Sequence, residues 1–322
     1  MFRNLSTVGL PLTGRPSELI ELALSFGFDA MDIDLVDFQQ QAEAFGAEHA
    51  RRLMVSARLK TGVFSLPIDL AGDDETFSRE MKLLPKRLEA ARSGEAPRAV
   101  ATLPPASDAH SFQSFLDLIR RRLEAVEGPL AKNGVMLGLA VVPEVEDRAS
   151  RAHEFIHTLE GLLELVSAAG SQFGVVVDAW AMHIAGEPLS LLSQVPAGRI
   201  VEIRLSDAPR ERAAAEFSHA DRLLPGETGV IACGPLLQAA EKAGFDGPVT
   251  PWADRSAVAG RGREKLVKLA GDRMEAAWKD AGLPILPRWF LPTQKDGPRD
   301  GFEVEGLEPA KNAAGRLVGQ GG

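Results

Sequence analysis

The chain has 322 residues and a formal net charge of −9, with 45% apolar and 25% charged residues. This length fits one domain of about 250 residues with an extension better than two domains. The acidic balance disfavours general binding to nucleic-acid phosphates. The single cysteine, Cys233, excludes an intrachain disulfide and a CxxC metal site.

The N-terminal segment lacks a long apolar core, and no apolar run in the sequence reaches the length of a membrane span. The sequence therefore predicts a cytoplasmic protein without a membrane partner.

Short apolar segments alternate with longer amphipathic ones along most of the chain. Several short segments are rich in β-branched residues and bounded by Gly or Pro, as buried parallel strands are. The predicted strands lie at 4–10, 30–36, 62–68, 98–104, 135–142, 173–180, 200–206 and 247–253. Amphipathic stretches at 18–26, 111–132 and 154–169 predict helices between them.

Eight strand–helix units favour a closed (β/α)₈ barrel, an α/β fold, over residues 1–282. A doubly wound sheet is the alternative, but Gly9 and Gly14 do not form the glycine-rich phosphate turn of that fold. Residues 283–322 are rich in Pro and Gly, which predicts a C-terminal extension that is partly disordered at its end. We expect the extension to dock through Trp289, Phe290 and Leu291.

Several stretches in the second half resemble the xylose-isomerase-like sugar isomerase/epimerase family. They are NGVMLGLAVVPE (133–144), FGVVVDAWAMH (173–183), VEIRLSDAP (201–209), LPGETGVI (224–231) and GFDGPVTPWA (244–253). The last two are the most specific, because they occur in order before the last strand. The resemblance implies a TIM barrel, a site at its C-terminal mouth, and isomerase or epimerase activity on a sugar or sugar phosphate.

The resemblance also implies a divalent cation (Mn, Mg, Co or Zn) held by Glu, Asp, His and Glu at the ends of strands five to eight. These four positions fall at Ala140, Asp178, Arg204 and Trp252, so one acid is kept. A single carboxylate does not hold a catalytic divalent ion, for which three protein ligands are usual. We therefore expect no cofactor at these four positions.

One hypothesis is that the Arg204 guanidinium replaces the ion as the counter-charge of Asp178, with a bidentate geometry. Arg204 and Arg210 then suit an anionic ligand such as a sugar phosphate or a sugar acid. The alternative is that Asp178 only caps the following loop and Arg204 is a surface residue.

A shifted register gives a different expectation. Glu144 and Glu146 lie just beyond strand five, and His183 lies just beyond strand six. A small shift rebuilds a metal site from Asp178, Glu144 and His183. Glu202 shares the inward face of strand seven but lies deeper in the barrel.

Four residues are predicted to bind substrate besides Arg210: Trp252, Glu146, His183 and Glu227. Trp252 has two interpretations, which are packing at the mouth and a flat apolar face for a sugar ring. Glu227 stands in a Gly-flanked turn, where it either stabilises a helix N-terminus or reaches the pocket.

A competing motif lies at 153–157. The residues from His153 to His157 spell HExxH, which on a helix places both histidines on one face with Glu154 as the general base of a zinc peptidase. No convincing third ligand follows, so the barrel interpretation is favoured.

Two function classes stay open from the sequence. One is a sugar or sugar-phosphate isomerase/epimerase with an altered site, and the other is a non-catalytic barrel that binds a carbohydrate or an anion. Both take a small-molecule partner and no nucleic acid, and either is compatible with a homodimer.

Overall fold

A computed structural model describes residues 1–196, 198–213 and 216–285. The predicted docking of Trp289, Phe290 and Leu291 lies outside these residues, as does most of the predicted extension. The 1–282 boundary stays a prediction. In the described part of the chain, no helix is long and apolar enough to cross a bilayer.

The structure alternates strands and helices. The strands are β1 Phe2–Leu5, β2 Ala30–Met31, β3 Lys60–Thr61, β4 Phe64–Ser65, β5 Arg98–Thr102, β6 Ala106–Ser107, β7 Met136–Ala140, β8 His153–Glu154, β9 Phe173–Asp178, β10 Ile200–Leu205 and β11 Pro248–Pro251. The α-helices are α1 Pro16–Ser25, α2 Leu35–Phe45, α3 Ala47–Ser56, α4 Asp74–Ser93, α5 Phe112–Asn133, α6 Val145–Ala149, α7 Leu159–Ala168, α8 Ala179–Ala185, α9 Cys233–Lys242 and α10 Arg263–Asp280. Short 3₁₀ helices span Leu189–Gln194 and His219–Asp221.

The main sheet closes on itself. Its strand order is β3-β2-β1-β11-β10-β9-β7-β5-β4, and all neighbours pair in parallel. The two outer strands of this order, β3 and β4, are separated in sequence only by Gly62 and Val63. They are two halves of one crossing of the barrel wall, so the ring has eight strands. The predicted (β/α)₈ barrel is confirmed. Seven predicted strands contain an observed one, and the first, at 4–10, overlaps β1 only at Asn4 and Leu5.

The barrel interior has an apolar half and a polar half. The apolar half is a buried cluster of four small side chains from neighbouring strands, Val63, Val100, Ala140 and Val176. The polar half comes from β1, β10 and β11 and contains Asn4, Glu202 and Thr250, each fully buried. Layers of side chains are the usual filling of such barrels, and here one side of the filling is charged.

Residues two positions beyond the apolar cluster lie on the same strand faces and reach the C-terminal mouth. Ser65 and Thr102 are exposed there, whereas Asp178 at the end of β9 is buried. The side chains at the ends of β4 and β5 are therefore exposed to solvent at the mouth, whereas the end of β9 is covered by other side chains.

The predicted peptidase motif does not lie on a helix. His153 and Glu154 form β8, which pairs antiparallel with β6, and α7 begins only at Leu159. The His157 ring instead contacts the Phe155 carbonyl through Nδ1 at 2.8 Å. The zinc-peptidase interpretation of HExxH is wrong, because the helical spacing that aligns two histidines is absent.

Candidate functional site at the barrel mouth

Asp178 ends β9 and is neutralised by a guanidinium. Nη2 of Arg222 lies 2.8 Å from both carboxylate oxygens of Asp178, and Nε of Arg222 donates to Ser206 Oγ at 2.8 Å. Asp178 also accepts the backbone N–H of Trp180 at 3.0 Å and so caps α8. A counter-charge was predicted here, but assigning it to Arg204 was wrong.

Arg204 is the register partner of Asp178 on the neighbouring strand, yet it turns elsewhere. Its Nε donates to Glu202 Oε2 at 2.9 Å, and its guanidinium lies 4.1 Å from the ring centroid of Trp252. Glu202 is two residues earlier on the same strand face, so it is the nearer acid. Glu202 takes this guanidinium because a fully buried carboxylate needs a counter-charge.

The two terminal nitrogens of Arg204 have no hydrogen-bond partner among the described residues, and neither is sealed from solvent. A guanidinium has five N–H donors, and only the one on Nε is used here. Arg204 lies one residue before the end of β10 and is 7% exposed, and its four terminal N–H donors are not used by the described residues.

A chain of hydrogen bonds runs from Glu202 on β10 along the neighbouring strands β11 and β1 to Asp32 after β2. Thr250 Oγ1 donates to Glu202 Oε1 at 2.6 Å, and Asn4 Nδ2 lies 3.0 Å from Thr250 Oγ1 and 2.8 Å from Asp32 Oδ1. The Val63 backbone N–H also donates to Asp32 Oδ1, at 2.9 Å. Two acids are thus linked through two neutral side chains.

Burial, together with the charge of Glu202, raises the pKa of Asp32 to about 7. The side chain stands one residue beyond β2 and is only partly covered. Sequence reasoning missed Asp32, although an acid at a strand end is a signal, because residues there face the mouth.

A second group of titratable side chains lies on the rim of the mouth, and we call Glu144, Asp147 and His219 the rim cluster. His219 Nδ1 lies 2.9 Å from Glu144 Oε1, and its Nε2 lies 2.9 Å from Asp147 Oδ2. Glu144 Oε1 also accepts the Trp180 Nε1–H at 2.8 Å. These atoms satisfy the distances expected of a metal-ligand group.

The rim cluster has strong internal electrostatics. The hydrogen bond to Glu144 is the main cause that raises the pKa of His219 to about 9, and Asp147 adds to it. Burial acts to raise the pKa of Glu144, but the contacts with His219 and Trp180 outweigh burial and leave that pKa lowered.

The alternative metal set of Asp178, Glu144 and His183 is not brought together. Of the three, only Glu144 enters the rim cluster. His183 stacks on Phe217 with ring centroids 5.9 Å apart, and burial lowers its pKa. Glu146 is exposed, because consecutive residues of the short helix α6 point about 100° apart and Asp147 is the one that reaches His219.

Glu227 belongs to the loop at 224–231, and Arg210 contacts that loop. Arg210 donates to the Thr228 carbonyl, and Glu227 Oε1 lies 3.4 Å from Arg261 Nη2. Asp207 shapes this loop by accepting backbone N–H groups of Thr228, Gly229 and Ile231 at 2.7, 2.7 and 2.9 Å. Substrate binding by Arg210 and Glu227 stays a prediction.

The ring of Trp252 packs against three neighbours and stays partly exposed. Arg204 covers it at 4.1 Å and Arg222 at 5.3 Å. Gly9 packs so closely that a Cβ there would lie 2.8 Å from Trp252 Cε3. These contacts support the packing interpretation of Trp252, and stacking on a sugar stays an untested alternative.

The four positions at which the family resemblance implies a cation do not fit one. Ala140 and Trp252 offer no ligand atom, and Arg204 brings a positive charge. The remaining acid, Asp178, is held by Arg222. The guanidinium groups of Arg204 and Arg222 supply positive charge at this part of the mouth, as a cation would.

The closed ring and the polar groups at its C-terminal end define a TIM barrel with a candidate site at the usual face. A profile of the family described as xylose isomerase-like TIM barrel matches residues 20–270. The chain belongs to that family.

Solved structures agree with this fold. A xylose isomerase domain protein from Alicyclobacillus acidocaldarius subsp. acidocaldarius has 24% identity and a TM-score of 0.78, over 88% of this chain and 99% of that one. IolI with a zinc atom has 16% identity and a TM-score of 0.68, over 86% and 98%. The D-psicose 3-epimerase of Clostridium cellulolyticum H10 has 11% identity and a TM-score of 0.67, over 87% and 99%. A search of curated proteins finds no match.

Proposed function

We propose that the mouth binds a sugar derivative with a carbonyl or anionic oxygen and interconverts it by proton transfer, as an isomerase or epimerase does. The observation that carries the proposal is the Arg204 guanidinium near the end of β10. Its terminal N–H donors have no partner among the described residues, and it pairs with Glu202 at one end of the hydrogen-bonded chain that reaches Asp32. The epimerases of the same fold support the substrate class.

Binding needs groups for both the charged and the neutral parts of the ligand. The terminal N–H donors of Arg204 suit a carboxylate, a phosphate or a developing oxyanion. Ser65 and Thr102 are exposed at neighbouring strand ends and offer hydroxyls to the hydroxyls of a sugar. The anion and the polyol are thus recognised from opposite sides of one opening.

Proton transfer needs a group whose pKa is near the working pH. Asp32 has this property, and it is partly open to the mouth. In the proposed step its carboxylate removes the proton from the carbon beside the carbonyl. The electron pair moves to the carbonyl oxygen, and Arg204 stabilises the resulting enediolate. Return of the proton to the former carbonyl carbon, while the hydroxyl proton of the first carbon passes to the former carbonyl oxygen, isomerises the sugar. Delivery of a proton from water to the opposite face of the first carbon, with Asp32 keeping the proton it removed, epimerises it.

Solvent exchange tests the proposal directly. Ketoses, sugar phosphates and sugar acids are incubated with the protein in D₂O, and NMR follows loss of the C–H signal next to the carbonyl. We expect exchange on at least one class, reduced by about 10²-fold or more in Arg204→Gln, because an oxyanion donor is lost. Arg79→Gln is the matched control, because Arg79 is an exposed residue of α4, and this variant should keep the wild-type rate.

The second candidate function is binding without chemistry, and the absence of the family's ligand types at Ala140, Arg204 and Trp252 favours it. It predicts that an anionic sugar raises the melting temperature through Arg204 but shows no exchange in D₂O. If none of the three ligand classes binds and none shows exchange, both functions are refuted.

A further inference from the structure

We propose that the rim cluster of Glu144, Asp147 and His219 binds one divalent cation of the zinc class and thereby fastens two loops of the mouth together. This site goes beyond the proposed function, and it does not use any of the four positions that the family resemblance marks.

Two carboxylate oxygens of the rim cluster have no hydrogen bond among the described residues, and one of them, Glu144 Oε2, also lacks an ion-pair partner. Glu144 Oε2 and Asp147 Oδ2 are buried and have no hydrogen bond, and Glu144 is only 1% exposed. Asp147 Oδ2 is near the His219 ring, but without hydrogen-bond geometry. A buried anionic oxygen without a donor is unfavourable, so Glu144 Oε2 points to a positive partner beyond His219.

The donor set defines the kind of cation. One imidazole nitrogen and two carboxylate oxygens lie within 4.8 Å of one another. Imidazole with carboxylates suits borderline cations such as Zn²⁺, whereas Mg²⁺ and Ca²⁺ prefer oxygen alone. Because the pKa of His219 is about 9, binding of the ion at neutral pH releases the extra proton of the ring. The two carboxylates and the neutral imidazole then carry two negative charges, which one divalent ion balances. Three protein ligands leave a fourth tetrahedral position for water.

The placement of the ligands gives the site its effect. Glu144 and Asp147 follow β7, whereas His219 lies in the long segment between β10 and α9. The same segment carries Arg222, which holds Asp178. A bound ion therefore joins two loops that are otherwise connected through side-chain contacts, and it restrains the segment that neutralises the acid of β9.

The cation is tested with Zn²⁺ alone, without any sugar. The purified full chain is treated with a chelator, and zinc binding is measured by calorimetry and by the shift in melting temperature. We expect one ion per chain and a higher melting temperature. His219→Gln should weaken binding by at least about tenfold, since loss of even an outer-shell partner has an effect of this size.

His183→Gln is the matched control, because His183 is a half-buried histidine of the same mouth that stacks on Phe217 outside the cluster. It should bind zinc like the wild type. Asp147→Asn provides a second ligand variant if His219→Gln does not fold, and it should weaken binding similarly. X-ray absorption of the zinc form should show nitrogen and oxygen ligands without sulfur.

Zinc binding that is absent, or unchanged in both ligand variants, would overturn the inference. In that case the rim cluster is an ion triad in which the protonated His219 ring bridges Glu144 and Asp147. The result is independent of D₂O exchange, so failure of the metal site and failure of the proposed function are distinguishable.

Discussion

Replacing Asp32 by Asn removes a partly buried charge while keeping the shape of the side chain. The Asn oxygen can accept the Val63 N–H and the Asn4 amide as the carboxylate does, at 2.9 and 2.8 Å. The expected effect is a gain in stability at neutral pH. It arises because burial and the charge of Glu202 disfavour the ionised form and raise the pKa of Asp32 to about 7.

The sign follows from proton linkage. The unfolded chain has a carboxyl pKa of about 3.9, so the folded state binds the proton more tightly than the unfolded state does. The penalty of Asp32 is absent below the unfolded pKa, grows as the pH rises and is complete above pH 7. Three units at about 1.4 kcal/mol each give an upper value of roughly 4 kcal/mol. Because Glu202 shares the interaction, we expect about 2–4 kcal/mol.

Thermal unfolding at two pH values checks this prediction. At pH 8 the Asp32→Asn protein should melt roughly 4–8 °C above the wild type, and at pH 4.5 the difference should shrink to about 2 °C or less. Asp34→Asn is the control, because Asp34 is the exposed N-cap of α2 and Asn caps equally well. A gain of the same size at both pH values, or a loss at pH 8, would refute the reasoning.

Two further predictions concern other buried groups. Arg222→Met leaves the carboxylate of Asp178 without its counter-charge and should lower the free energy of unfolding, measured with urea, by about 3–5 kcal/mol. Adding Asp178→Asn to the same chain should restore part of this loss. If the two substitutions changed the free energy of unfolding by purely additive amounts, the ion pair would be contradicted. Burial raises the pKa of the Cys233 thiol to about 12, so a thiol reagent at pH 8 should label the native protein far more slowly than the urea-unfolded protein, and equal rates would contradict its burial.

The strands were predictable because each is a local apolar run, and eight of them with helices between imply a ring. Their ends were not. The predicted strand at 30–36 contains only β2, since Asp34 accepts the N–H groups of Val36 and Asp37 and starts α2. The Asp34 side chain decides whether this segment continues as a strand or begins a helix, and an analysis of apolar periodicity does not include such a hydrogen bond.

The site was predictable only where its residues are close in sequence to a strand. Asp178 and its need for a counter-charge follow from the position at the end of β9. Its partner Arg222 is 44 residues away in a long loop, and the path of that loop has no periodic signal. His219 was missed for the same reason, and Asp147 because the neighbouring Glu146 offered an equivalent acid.

The short interruption between β3 and β4 has an effect on which sequences this barrel tolerates. At Gly62 a Cβ would lie 2.5 Å from Asp32 Oδ1 and 2.6 Å from Asn4 Cγ. The backbone of Gly62, which has no side chain, therefore borders the space that the Asp32 carboxylate occupies. A larger residue at 62 would expel Asp32 or Asn4 from its place, so the three positions can change only as a set.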